Sequence, residues 1–134
     1  MAEALFRHIA GDRYESLSAG VNPAGFVHPL VLEVLAESGV EVEGLRSKHI
    51  LAFLAPPGSP PELIISLCDY AEELCPNFPE STARVHWPVH DPYTVRGGPA
   101  RKLAAFRETR DIILERLERA LTSGEIGTVL RAGG

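Results

Sequence analysis

Cys68 and Cys75 are the residues whose type and spacing most directly suggest chemistry, and they are the only cysteines among the 134 residues. If residues 68–75 formed one continuous helix, the two Cα atoms would lie about 10 Å apart along its axis. A disulfide requires a Cα separation of about 4.4–6.8 Å, so the pair can be bridged only where the helix is irregular or unfolds. Two interpretations follow: a redox pair coupled to a conformational change, or two unrelated buried thiols.

The element that must position Cys68 is a buried strand. Leu63–Leu67 is a short apolar run rich in β-forming residues, which predicts a strand ending at Cys68. Asp69 can cap a short helix that begins at Tyr70, and Pro76 ends that helix. Cys68 is therefore predicted to lie at the carboxyl end of a strand, where open α/β sheets bind their ligands.

A zinc site is the main alternative for the cysteines. Four residues are donor types that zinc binds: Cys68, Cys75, His86 and His90. Their spacing lacks the short Cys-x2–4-Cys knuckle of structural zinc sites, so structural cysteines and histidines are the preferred interpretation. The other histidines are predicted to be surface or capping residues: His8, His28 and His49. We therefore predict neither a metal nor another cofactor.

Length and composition exclude several classes of protein. A chain of 134 residues, 45% hydrophobic and 23% charged, suits one domain over residues 1–134 with a sizeable core. A net charge of −5 without a lysine or arginine run argues against nucleic acid and anionic membranes as partners. No apolar run approaches the ~20 residues that span a bilayer, and the first residues are unlike a signal peptide. A cytoplasmic protein is predicted, in which a disulfide would be transient.

Helices and strands are predicted to alternate along the chain. We predict helices over Met1–Ala10, from Pro29 to a stop at Gly39, over Lys48–Leu54 behind a Ser47 cap, and over Pro99–Thr122. Strands are predicted over Tyr14–Ala19, Leu63–Leu67 and Ala83–Trp87, with a further short strand around Thr128–Leu130. Arg110 interrupts the apolar stripe of the last helix, and its head is expected to reach solvent. The pattern predicts an α/β fold, a mostly parallel sheet flanked by helices on both faces.

An ordered set of short motifs extends over nearly the whole chain: Met1-Ala2-Glu3, Ser18-Ala19-Gly20, Val27-His28-Pro29, Ser47-Lys48-His49, Cys68, Cys75-Pro76, and Trp87-Pro88 before Asp91-Pro92. Together these motifs resemble the thioredoxin-coupled arsenate reductases of the low-molecular-weight tyrosine phosphatase superfamily. The paired cysteines favour the reductase branch over the phosphatases.

In that family a strand and a Cys-x5-Arg loop precede the helix that here begins at Met1. The loop supplies the nucleophilic cysteine, an arginine and the backbone N–H groups that hold the oxyanion. The 134 residues contain no replacement Cys-x5-Arg. The resemblance thus implies the phosphatase fold with its first strand absent. We expect the tail around Thr128–Leu130, or a second copy of the chain in a dimer, to cover the open position.

The resemblance also implies a relay of cysteine thiols. The first thiol attacks arsenate within the loop, the thiol that matches Cys68 attacks the first sulfur and releases arsenite, and the thiol that matches Cys75 then attacks Cys68. The resulting disulfide is reduced by thioredoxin. The implied partners are therefore arsenate or a phosphate-like oxyanion, and thioredoxin. Asp91 matches the general acid of the phosphatases; alternatively, it caps the turn at Pro92.

Glu3 and Ser18 match positions that bind a potassium ion beneath the loop in some members of the family. Lys48 falls where those members carry an acidic residue, and its ammonium can stand in for the ion, so no potassium is predicted. The alternative for Glu3 is an ordinary acidic residue in the first turn of a helix.

Two classes of function follow from the sequence. In the first, the chain belongs to an arsenate reductase, although the 134 residues by themselves are expected to be inactive. In the second, it is a catalytically inactive relative that binds an oxyanion or regulates another protein. A tyrosine phosphatase-like protein is a further alternative.

Overall fold

The computed structural model describes residues 1–19, 25–48, 61–67 and 83–127. Within these residues the elements are helix α1 (Ala2–Ala10), helix α2 (Pro29–Glu37), strand β1 (Leu63–Ser66), strand β2 (Ala83–His86), a 3-10 turn (Pro92–Thr94) and helix α3 (Pro99–Thr122). Each agrees with a predicted element to within two residues at either end, apart from the 3-10 turn, which lies in a predicted loop. The predictions for Lys48–Leu54, for the helix after Asp69 and for Thr128–Leu130 lie wholly or almost wholly outside the described residues.

Local sequence signals explain where α2 begins and ends. Pro29 occupies the first turn, and the side chain of His28 caps the helix by accepting the Leu30 N–H at 3.0 Å. Gly39 has a φ of +70°, the left-handed conformation that favours glycine, and Val40 then donates its N–H to the Leu35 carbonyl at 3.0 Å. The predicted capping role of His28 is confirmed.

The sheet of the described residues consists of β1 and β2 in parallel, with Leu63 opposite Ala83 and Ser66 opposite His86. Pairing continues past the strand ends, because the Val89 N–H donates to the Leu67 carbonyl at 2.7 Å. The parallel arrangement agrees with the predicted fold class.

Tyr14–Ala19 does not form the predicted strand. The segment lies against α1: the Tyr14 N–H donates to the Ala10 carbonyl at 3.0 Å, and the Ser16 hydroxyl donates to the Glu3 carbonyl at 3.0 Å. Ser18 also donates to Glu3, through its side chain. The alternation that predicted a strand therefore reflects two serines, two residues apart, that both bind the same helix.

The core lies where α1 and α2 pack on α3, and β1 and β2 contribute partly buried side chains to it. Its most deeply buried large side chains are those of Phe106, Leu5, Leu35 and Val34. In the described part of the chain, none of the helices combines the length and apolar character needed to cross a membrane.

Arg110 differs from its prediction. Its side chain is only 13% exposed, and its guanidinium hydrogen-bonds to Val34 and Glu37 of α2 and to the neighbouring Asp111. The physical reason is that carbonyls in the last turn of a helix have no partner within that helix, so a buried donor on α3 has acceptors within reach.

Candidate active site

A cleft of about 260 Å³ opens at the carboxyl end of the two strands. Its walls are formed by the start of α1, by Val31 of α2, by Leu67, by residues 89–93 and by Thr109 and Ile113 of α3. Leu67 immediately precedes Cys68 in the sequence, and the hydrogen bond from Val89 to Leu67 holds the two strand ends together. Cys68 and Cys75 themselves lie outside the described residues.

The loop after β2 fixes Asp91 at the rim of this cleft. Asp91 is exposed, and its Oδ1 accepts the N–H of Tyr93 at 2.9 Å. Its main-chain carbonyl accepts the Thr94 hydroxyl at 2.8 Å and the Thr94 N–H at 3.2 Å. The structure therefore shows the capping role that the sequence offered as an alternative.

His90 lines the same cleft beside Asp91, with its Nε2 3.3 Å from the Thr94 hydroxyl oxygen. Because that hydroxyl already donates its proton to the Asp91 carbonyl, the hydrogen-bond network assigns the proton of the contact to Nε2 of His90. From the sequence, His90 was considered as a zinc donor and as part of a loop at the carboxyl end of a strand, without an individual role. Among the described residues, no three histidine, cysteine or acidic side chains group as a metal site would require.

The structure brings together Glu3, Ser18 and Lys48. Glu3 is 6% exposed, and its Oε1 accepts the Lys48 ammonium and the Ser18 hydroxyl, each at 2.9 Å. Burial, the largest single effect, opposes ionisation of this carboxyl. The hydrogen bonds from Lys48 and Ser18, together with the charges of Lys48 and Arg7, nevertheless lower the pKa of Glu3. A lysine ammonium therefore supplies the positive charge beside the buried carboxylate.

An aromatic cluster joins the loop of Asp91 to both neighbouring helices. The ring of His28 lies 4.9 Å from the ring of Tyr93 and 4.9 Å from the ring of Phe106, and Tyr93 lies 5.4 Å from Phe106. Burial raises the pKa of Tyr93, and a hydrogen bond with the His28 backbone offsets part of that rise. Sequence patterns gave no signal for these contacts, because the three rings come from separate elements.

A second cleft, of about 490 Å³, also lies beside the end of β2, and His86, Trp87, Ile112, Arg116 and Arg119 are among its lining residues. His86 lies there with its Nδ1 2.8 Å from the Ser66 hydroxyl. Arg116 places its guanidinium 4.0 Å from the centroid of the Trp87 ring.

Comparison with known proteins identifies the fold. The sequence model for low molecular weight phosphotyrosine protein phosphatases matches residues 1–127. An arsenate reductase of Halalkalibacterium halodurans is 31% identical over 125 residues, which cover 93% of this chain and 87% of that protein. An arsenate reductase of Bacillus cereus is 30% identical, over 93% of this chain and 86% of its own length.

Solved structures of arsenate reductases superimpose on this fold. An arsenate reductase in the reduced state superimposes with a TM-score of 0.65 at 24% identity, covering 91% of this chain and 86% of its own. The thioredoxin-dependent arsenate reductase of Corynebacterium glutamicum gives a TM-score of 0.67 at 26% identity, covering 94% of this chain and 55% of its own. The predicted α/β phosphatase-like fold and the resemblance to arsenate reductases are confirmed. The chain belongs to the low molecular weight phosphotyrosine protein phosphatase family.

Proposed function

We propose that this protein is arsenate reductase-like and that Cys68 and Cys75 are the second and third thiols of a relay that reduces arsenate to arsenite. The observation that carries the proposal is the cleft at the carboxyl end of β1 and β2. One of its walls is Leu67, the residue before Cys68, and another carries Asp91. The curated relatives at 30–31% identity are named arsenate reductases, which supports the same reaction.

The relay can be written as a balanced reaction. A first cysteine thiolate displaces an oxygen of arsenate and forms a sulfur–arsenic(V) bond. The Cys68 thiolate attacks that sulfur, a disulfide forms, and the electron pair of the sulfur–arsenic bond leaves with arsenic(III) as arsenite. The Cys75 thiolate then attacks Cys68 and releases the first thiolate. Thioredoxin dithiol finally reduces the Cys68–Cys75 disulfide and is itself oxidised.

The first thiol is not among these 134 residues. A Cys-x5-Arg motif would need arginine six positions after a cysteine, and those positions hold Leu74 and Ser81. We therefore propose that the 134-residue chain on its own does not reduce arsenate. A thioredoxin-coupled assay should show no turnover above that of a Cys68→Ser control, and turnover above that control would refute this part of the proposal.

Asp91 is proposed as the general acid that protonates the oxygen lost from the oxyanion. Its fixed Oδ1 and its position at the rim of the cleft support this role. Glu3, Ser18 and Lys48 are proposed as the supporting site beneath the oxyanion, with Lys48 in place of a cation.

Thioredoxin and an oxyanion are the proposed partners. The Corynebacterium glutamicum neighbour is described as thioredoxin-dependent. Another neighbour, with a TM-score of 0.64 at 23% identity, is described as an arsenate reductase in the phosphate binding state, and its likeness to this chain is one of fold alone.

The cysteine pair can be tested without the first thiol. Mild oxidation of the 134-residue chain should form the Cys68–Cys75 disulfide, detected by peptide mass spectrometry, and reduced thioredoxin should open it. With Cys75→Ser, the remaining Cys68 should form only mixed disulfides. Absence of the intramolecular disulfide, or a disulfide that resists thioredoxin, would contradict the relay.

A second candidate is a catalytically inactive, oxyanion-binding or phosphatase-like relative, which the lack of a Cys-x5-Arg motif favours. Phosphate titration of the 134-residue chain, followed by amide NMR, should show binding at the cleft if the second candidate holds, because the first candidate takes its oxyanion donors from the absent Cys-x5-Arg loop. The genomic DNA upstream of the Met1 codon separates the two candidates: an in-frame Cys-x5-Arg supports the reductase, and a stop codon next to Met1 supports the inactive relative.

A further inference from the structure

We propose that His28 is a positioning residue for the loop that carries Asp91, and that it acts only as a neutral imidazole with its proton on Nε2. The inference rests on the proposed role of Asp91 as the acid, because a positioning residue matters to the reaction only if the positioned carboxyl takes part in it.

The first step is the cap of α2. Nδ1 of His28 accepts the Leu30 N–H at 3.0 Å, so this nitrogen presents a lone pair and the ring proton lies on Nε2. Pro29 has no N–H, which makes the Leu30 amide the first donor of the helix. A protonated ring would place an N–H against that donor and a positive charge at the positive end of the helix dipole. Protonation of His28 and capping of α2 are therefore mutually exclusive.

The second step links this ring to Asp91. His28 contacts the ring of Tyr93 edge-on at an interplanar angle of 61°, and it stacks on Phe106 at 28°. Tyr93 also donates its backbone N–H to Asp91 Oδ1 at 2.9 Å. A single residue, Tyr93, thus contacts the imidazole through its ring and the carboxylate through its backbone. A change at His28 reaches Asp91 through one intermediate residue.

Other charges near the ring must be separated from its own titration. The 3-10 turn presents Tyr93 and its capping residue Asp91, and His90 precedes them with its Nε2 3.3 Å from the Thr94 hydroxyl oxygen. Helix α3 presents the uncharged Phe106, with Lys102 and Arg110 about one turn to either side. Arg110 is bound to Asp111, Glu37 and Val34. The nearest charged residue along α2 is Glu33. None of these residues changes in a His28 variant, so a pH response that such a variant abolishes belongs to His28.

The test uses amide NMR of the 134-residue chain between about pH 5 and 8, the range in which histidine changes charge. Long-range ¹H–¹⁵N spectra of the wild-type ring should show the Nε2–H tautomer near neutral pH. As the pH falls, the amide resonances of Leu30 and Tyr93 should shift together with the His28 ring signals. A ring that carries its proton on Nδ1 near neutral pH, or a Tyr93 resonance that ignores the titration of His28, would overturn the proposal.

Two variants separate the cap from the ring contact. His28→Asn keeps a capping side chain without a titrating ring, so Leu30 should stay protected from amide exchange while Tyr93 loses its pH-dependent shift. His28→Phe keeps an aromatic ring without an acceptor, so Leu30 should exchange faster while Tyr93 stays near its wild-type resonance. His8→Asn, at an exposed histidine of α1, is the matched control and should change neither. Persistence of the Tyr93 shift in both His28 variants would refute the proposal.

These readouts do not depend on arsenate chemistry. If Tyr93 follows His28 while Cys68 and Cys75 fail the disulfide test, the positioning by His28 stands and the reductase function does not. If the disulfide test succeeds and Tyr93 ignores His28, the opposite conclusion follows.

Discussion

Nη1 of Arg110 donates to the main-chain carbonyl of Val34 at 2.9 Å, and this bond joins the middle of α3 to the last turn of α2. The same nitrogen lies 3.0 Å from Oε1 of Glu37. Arg107 hydrogen-bonds to both oxygens of Glu37, and this contact, with that of Arg110, lowers the pKa of the Glu37 carboxyl. Helices α2 and α3 are thus joined by these polar contacts at the carboxyl end of α2 and by the apolar core.

Replacing Arg110 by methionine should destabilise the fold. The change keeps an apolar stem but removes the donor from a part-buried carbonyl, and we expect a loss of about 1–2 kcal/mol in the free energy of unfolding. Urea denaturation measures that loss. Arg101→Met, at an exposed position of the same helix, is the control and should change the stability by less than about 0.5 kcal/mol. Equal losses in the two variants would show that the hydrogen bonds of Arg110 contribute nothing specific.

Glu3→Gln should make the free energy of unfolding depend less on pH in the acid range. The pKa of Glu3 is lowered in the folded state, so its carboxylate stabilises the fold fully above the ordinary glutamate pKa of about 4.3. That contribution is lost as the pH falls below this value and through the folded-state pKa. Wild type should therefore exceed the variant in stability at neutral pH, and the difference should shrink below about pH 4.3. Denaturation series at several pH values would detect it, and the exposed Glu15→Gln is the control. A difference that is constant with pH would contradict the assignment.

The Lys48 ammonium should make the fold insensitive to potassium. At equal ionic strength, wild type should melt at the same temperature in potassium and in sodium chloride. Lys48→Met removes the ammonium that is hydrogen-bonded to the buried Glu3 carboxylate, and we expect a loss of about 1–3 kcal/mol in the free energy of unfolding. Lys48→Asp places an acidic residue at this position, and the variant should melt at a higher temperature in potassium chloride than in sodium chloride. Specific stabilisation of wild type by potassium would show that the ammonium does not replace an ion.

Arg116 should control the fluorescence of Trp87, the chain's single tryptophan. Its guanidinium covers the indole and is held there by Glu125 through bonds of 2.8 and 2.9 Å. Arg116→Met should shift the emission to longer wavelength, because water reaches the ring, and should cost about 0.5–1 kcal/mol. Arg119→Met, which changes another lining residue of the same cleft, should leave the emission in place. Identical spectra for Arg116→Met and wild type would exclude a shielding role.

The sequence predicted the elements whose signals are local. Helix α3 was predicted over Pro99–Thr122 and observed over the same residues, because a proline begins it and its apolar spacing persists. The strands before Cys68 and at Ala83 were each predicted one residue too long. Glu3, Ser18 and Lys48 were placed together through family resemblance, and the structure joins them at a single carboxylate oxygen.

Sequence patterns did not predict contacts between residues that lie far apart in the chain. Arg110 was expected to reach solvent, yet its acceptor on Val34 lies 76 positions earlier in the chain. The alternate spacing of Ser16 and Ser18 predicted a strand, but both serines hydrogen-bond to Glu3 of α1. The contact of His28 with Tyr93 joins residues from separate elements, and no periodicity within either element records it.

The backbone hydrogen bond from Val89 to Leu67 makes the length of the segment between His86 and Asp91 matter more than its composition. Successive residues beside a parallel strand point to opposite faces, so one residue inserted between His86 and Val89 would move the Val89 N–H away from the Leu67 carbonyl and change the face to which the following residues, Asp91 included, point. A substitution at Pro88 or His90 preserves the count and the bond. Variation among natural relatives should therefore appear here as exchanges of side chains and not as insertions or deletions.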